Sequence, residues 1–212
     1  MCHRLDARFF QELAALPAEE VCRRAVCRFD PARGCYLLEA WGDPYEVYPR
    51  EAEIRPGRPE VLPPSMEMGL AIVFYLMQSQ DLPLANEWVS EKDIPGGVNF
   101  FQGPHAIPGP LVAQRFGDDL AAFSRVCRSL GGEEAELGDA GFIFRIHPRI
   151  PVAVLLWAAD DEFPAAVKLL FDRTIGRHLP LDVIFGLCEE VCARLAAAPD
   201  PVAPGRDRPH NP

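Results

Sequence analysis

Apolar residues recur at two distinct periods along this chain. Leu5, Phe9, Leu13 and Leu16 fall three or four apart, the spacing of one helical face, and predict an amphipathic helix over 4–16. Pro17 followed by Glu19 and Glu20 suits the first turn of a second short helix, where acids complement the dipole. The period then becomes two. Val26–Phe29, Cys35–Trp41 and Tyr45–Tyr48 read as strands, with Asp30–Gly34 as a turn and Gly42-Asp43 as a tight hairpin before Pro44. Pro49–Pro64 carries five prolines and many charges, and predicts an exposed, extended connector. Ser65 is placed to cap a helix over Met66–Gln78, which is apolar nearly all round and therefore central.

The segment Glu87–Pro108, EWVSEKDIPGGVNFFQGPHAIP, breaks both periods. Its glycines permit left-handed or closely packed backbone, its prolines fix φ, and its aromatic residues need a surface to pack on. It reads as a long, ordered Gly/Pro-rich loop. Helical spacing returns over Leu111–Phe116 and Asp119–Leu130, with Gly131-Gly132 as the stop. A meander of three strands follows, over 142–147, 151–157 and 166–171, although Pro164 could instead open a helix over 164–171. Ile184, Leu187, Cys188, Val191 and Leu195 form one stripe of a last helix, Leu181–Leu195. From Pro199 onward five prolines fall in fourteen residues and predict a disordered tail, 199–212. The fold class is α+β: one domain over 1–198, in which antiparallel strands from both halves form a sheet packed by the Met66–Gln78 helix and the last helix.

Composition narrows the partners. A formal net charge of −10 opposes nucleic acid and anionic membrane, both of which need clustered cations. The longest apolar run, Gly69–Met77, is too short to span a bilayer. The seven cysteines are odd in number, and the start MCHRLDARFF lacks a signal-peptide core, so reduced thiols in the cytoplasm are expected. A small-molecule ligand or a protein remains as the partner class, and the sequence names no cofactor. Cys188 and Cys192 lie four apart on or beside the apolar stripe and read as core, and Cys22-x4-Cys27 as a weaker pair still.

Several residues are candidates for chemistry. Trp88, Gly96, Gly97, Phe100, Phe101 and His105 lie in the Gly/Pro-rich loop, His105 reading either as a ligand or proton carrier or as a buried imidazole bonded to loop carbonyls. Asp172 and His178 follow the third strand and precede the last helix, as an orienting pair or as a turn cap and a packed ring. Asp160, Asp161 and Glu162 are candidate ligands for a hard cation, against the commoner use of such a run as a solvated turn. In a meander His147, Arg149, Asp172 and His178 can gather at one end, with the acid run about 20 Å away at roughly 3.3 Å per strand residue. His105 and His178 each precede a proline-bounded helix start and are predicted to face one cavity. No P-loop, Gly-x-Gly-x-x-Gly, Gly-x-Ser-x-Gly or His-Glu-x-x-His motif is present.

EWVSEKDIPGGVNFFQGPH, RIPVAVLLWAADDEFP and LLFDRTIGRHLPLDVI, in this order, resemble the bacterial and archaeal domain of unknown function 3786 family, over about Cys22 to Leu195. The resemblance implies an intracellular setting in anaerobes, beside corrinoid or low-potential redox metabolism, and brings no catalytic residues. Some members resemble proteins with an added iron–sulfur domain, which this chain, lacking a Cys-x2-Cys run, does not support. The leading expectation is a non-catalytic binding or accessory protein with a site shaped by residues 87–108. The alternatives are an enzyme using His105 or Asp172/His178 with a metal or corrinoid-like ligand, and a protein-interaction subunit.

Overall fold

In the computed structural model, which describes residues 5–201, two short helices come first. Helix α1, Ala7–Ala14, is capped by Asp6, whose carboxylate accepts the Arg8 N–H at 2.9 Å. Helix α2, Ala18–Ala25, opens after Pro17 with Glu19 and Glu20 in its first turn. It ends at Val26, which is left-handed at φ 52°. The strand expected from Val26 therefore starts later, as β1, Arg28–Asp30.

Strands β1, β2 (Cys35–Ala40), β3 (Asp43–Tyr48) and β4 (Glu53–Pro56) form an antiparallel sheet in that order. The β2–β3 turn is Trp41-Gly42, one residue earlier than expected, with both residues at positive φ as a type I′ hairpin requires. A tryptophan holds this position because its indole N–H donates to the Leu130 carbonyl at 2.9 Å and its ring packs on Phe144 at 5.0 Å. Part of the expected connector, Glu53–Pro56, is strand β4: Ile54 pairs with Val47, and Pro56 closes the strand end, where its missing N–H is tolerated.

Helix α3, Met66–Gln78, begins at its Ser65 cap and buries Ile72, Val73, Tyr75 and Leu76 completely. It packs along α7, Leu181–Ala197. The second sheet has the order β5-β9-β8-β7-β6, from Trp88–Val89, Ala166–Asp172, Ile150–Trp157, Ala140–His147 and Glu133–Ala135. Its centre is the expected meander, and Val152↔Phe171 pairing makes 164–171 end in a strand, not a helix. The strands of the two halves form two sheets, not one. The first pairs consecutive strands only, the second adds the distant β5 to β9, α3 intervenes in the chain between them, and the Trp41 N–H joins them by donating to Ile146 O at 2.8 Å.

Helices α4 (Gly97–Phe100), α5 (Gly109–Phe116) and α6 (Leu120–Ser129) complete the fold. Arg115 of α5 donates to the carbonyls of Leu195 and Ala196, both at 2.7 Å, and so caps the end of α7. Arg125 of α6 grips Asp200 in a bidentate pair at 2.9 and 2.6 Å. Disorder was expected from Pro199, yet Asp200 is fastened; residues 202–212 lie outside the described residues. No helix among the described residues is long and apolar enough to cross a membrane.

Candidate functional site

The loop over 87–108 is built by backbone contacts. Ser90 opens a 3-10 turn, Glu91–Asp93, with its N–H donating to the Asp93 carboxylate at 3.0 Å. Gly96 is left-handed at φ 83°, and a Cβ on Gly97 would stand 1.9 Å from the Glu91 carbonyl oxygen. The Pro-Gly-Gly group thus folds the chain back on its own turn. Gly97→Ala is expected to cost about 2–3 kcal/mol by forcing these backbones apart, read as a lowered denaturation midpoint.

The loop's aromatic residues face inward. Phe101 is buried, while Trp88 and Phe100 are half-buried. His105 is exposed, stacked on Phe100 at 4.5 Å and edge-on to Phe185 of α7 at 5.3 Å. His105 acts as a clasp between the loop and α7. His178, by contrast, is fully enclosed. The two rings do not face one cavity.

Asp172 ends β9 opposite Trp88 and is almost fully buried. Its carboxylate accepts the Ala85 N–H at 3.1 Å, the Asn86 N–H at 2.7 Å, and the Thr174 N–H and hydroxyl at 3.0 and 2.7 Å. Burial opposes its ionisation, but these four bonds outweigh burial and hold its pKa below the ordinary carboxylate value. Asp172 orients backbone, not the His178 imidazole.

Of the four residues expected to gather, His147, Arg149 and His178 each meet the end of α3 or the segment after it, in a buried polar knot, and Arg149 and Asp172 both act on the His178 charge. His178 Nδ1 accepts the Gln80 N–H at 3.3 Å. Burial, then Arg149, push its pKa down to about 4 despite the attraction of Asp172. His147 Nδ1 lies 3.0 Å from Glu39 O, so that nitrogen carries the proton, and its ring stacks on Tyr75 at 4.3 Å. Burial pushes His147 to about 4 as well. Arg149 binds Arg24 O at 2.8 Å, Asp81 at 2.6 Å and the Leu82 carbonyl, tying three segments over the knot.

Asp160, Asp161 and Glu162 are all exposed. Asp160 accepts the N–H groups of Glu162 and Phe163 at 2.9 and 2.6 Å, bonds that lower its pKa and make the run a side-chain-closed turn. Among the described residues no group of three or more His, Cys, Asp or Glu is placed to hold a metal ion.

A concavity of about 530 Å³ opens where β3, the 60–65 segment and α7 meet, lined by Asp43, Tyr45, Glu60, Ser65, Glu190 and Arg194 among others. Glu190 is only 8% exposed. One of its oxygens accepts the Ser65 hydroxyl at 2.7 Å and the other the Arg194 Nε–H at 2.5 Å. The Arg194 guanidinium lies 4.9 Å from the Trp41 ring. Burial, then Asp43, raise the Tyr45 phenol, against the pull of Arg194. Arg58 offsets Glu60 at 3.4 Å, which leaves the Asp43 carboxylate in excess. Such a pocket favours hydrogen-bond donors or a cation over an anion. The sequence offered one weak signal for it, a Glu-x3-Arg pair beside the apolar stripe of the last helix.

Neither a curated protein nor a solved structure matches the chain. A family model, described as a domain of unknown function (DUF3786), matches residues 17–194, from α2 to the last turns of α7. That span holds both sheets, the polar knot and the Glu190 pocket, and the chain belongs to the DUF3786 family.

Proposed function

We propose that the protein is a non-catalytic binding or accessory protein, and that the pocket of Tyr45, Ser65, Glu190 and Arg194 takes a small polar ligand bearing a hydrogen-bond donor or positive group. One observation carries this reading. Glu190 is nearly buried, yet it lines an open concavity with both oxygens already held, a pre-oriented arrangement that binding sites favour. The sequence candidates support it from the other side: Asp172, Asp160 and Gly97 are each engaged in shaping backbone. The proposed site therefore differs from the expected one shaped by residues 87–108, since that loop lines none of this pocket's wall. The six cysteines among the described residues are free thiols, which suits a reducing, cytoplasmic setting. The family resemblance adds anaerobic metabolism as the context.

Thermal-shift measurements with small primary amines and with small carboxylates test the reading. Amines are expected to raise Tm in the wild type and to lose that effect in Glu190→Gln, while carboxylates do neither. Equal responses in both proteins would remove the pocket as the site.

A further inference from the structure

The end of α2 brings two thiols together. The Cys27 N–H donates to Cys22 O at 3.1 Å across the left-handed Val26, the closing bond of a Schellman-type helix end. In that motif a contact between the side chains at these two positions is frequent, commonly an apolar one. Here both are cysteines. Val26 is β-branched and exposed, an unfavourable residue for left-handed backbone, so the turn is held against its own preference. The closing bond limits the separation of the two α-carbons to about 7 Å by bond lengths alone. A disulfide spans about 4.4–6.8 Å.

Both thiols are half-buried and line one open concavity of about 690 Å³, with Leu38, Tyr45 and Pro148 on its walls. Each thiol interacts with the other. The remaining described cysteines, Cys35, Cys127, Cys188 and Cys192, are buried at 0–1% exposure.

We propose that Cys22 and Cys27 form a dithiol site that closes to an intramolecular disulfide by exchange with a small-molecule disulfide. The Cys22 thiolate attacks one sulfur of the oxidant, breaks its S–S bond and releases one thiol, leaving a mixed disulfide. Cys27 then gives up its proton and attacks the Cys22 sulfur, releasing the second thiol. The two cysteines lose two protons and two electrons, and the oxidant gains both as two thiols. Cys22 attacks first because burial raises Cys27 much more strongly than Cys22. Both thiols are raised, so the exchange is slow at neutral pH and quickens as the solution becomes alkaline.

Incubation of the reduced full chain with oxidised glutathione, followed by trypsin and mass spectrometry, tests the site. Arg23 and Arg24 lie between the two cysteines, so a closed disulfide leaves two tryptic peptides joined through Cys22 and Cys27. That product is expected, faster at higher pH and reversed by dithiothreitol, and Cys27→Ser is expected to trap a glutathione adduct on Cys22. Phenylarsine oxide, which needs two adjacent thiols to share one arsenic, should protect both cysteines of the wild type from alkylation. Glutathione adducts that persist without the crosslink, or free thiols throughout, with no protection by the arsenical, would overturn the proposal.

Discussion

Between pH 6.5 and pH 4 the folded protein is expected to lose up to about 6 kcal/mol of stability, about 3 kcal/mol for each of His147 and His178. Both rings are buried and neutral, with folded pKa values of about 4. In the unfolded chain they titrate near the ordinary value of about 6.5. The unfolded state therefore takes up protons first as pH falls. The histidines' contribution is fully present above about pH 6.5, declines through the window, and levels once the folded state is itself protonated near pH 4. A loss of this size is comparable to the whole stability of an ordinary domain, roughly 5–15 kcal/mol, so unfolding should begin before the carboxylates titrate. Denaturant midpoints measured across this range give the slope. His147→Phe keeps a ring against Tyr75 and cannot bind a proton, so it should remove about half of the slope. A stability that stays flat from pH 6.5 to 5 would mean that neither ring is held neutral.

The parts of this fold written in local periodicity were legible. Met66–Gln78, the meander and the last helix are long and strongly patterned, so tertiary context had little to override. Strands β5 and β6 are only Trp88–Val89 and Glu133–Ala135, too short for any period to register. Strand β4 was hidden by prolines, because its pairing with β3 depends on where the chain lies and not on its own propensity. Val26 read as a strand residue for its β-branched side chain, and the fold uses it instead to end a helix. That His147 and His178 both meet α3 or the segment after it is a matter of which strand ends lie together, a topological property that no local period carries. The Glu190 pocket could not be reached that way. Its walls come from Asp43–Ser65 and from α7, segments more than a hundred residues apart, and none of its members stands in a distinctive spacing. Asp172 was legible as a residue and ambiguous as a role, since a strand-end aspartate serves turns and active sites equally well.

Substitution of Asp172 resolves that ambiguity. Asp172→Ala leaves the N–H groups of Ala85, Asn86 and Thr174 and the Thr174 hydroxyl without their shared acceptor in a part-buried place. Hydrogen bonds to a charged group contribute about 1.5–3 kcal/mol each, and their losses overlap, so the expected destabilisation is about 3–5 kcal/mol. At about 2–4 °C per kcal/mol for a chain of this size, Tm should fall by roughly 10 °C or more. Asp172→Asn keeps the shape and one acceptor oxygen but turns donors toward donors, and should fall between wild type and alanine. Hydrogen exchange adds a local reading: the amides of Ala85 and Asn86 should lose protection in Asp172→Ala, because those bonds fix the entry into β5. The sign with pH is opposite in origin to that of the histidines but similar in direction. The carboxylate's folded pKa is depressed, so its contribution is present above the unfolded value of about 3.9 and is lost as pH falls through the folded one. A carboxylate retained for chemistry behaves differently, since removing a functional charge from a buried place commonly leaves stability unchanged or improves it. Wild-type stability in Asp172→Ala, with unchanged protection at Ala85 and Asn86, would therefore return Asp172 to the functional candidates and overturn its assignment as the clamp of the β5–β9 edge.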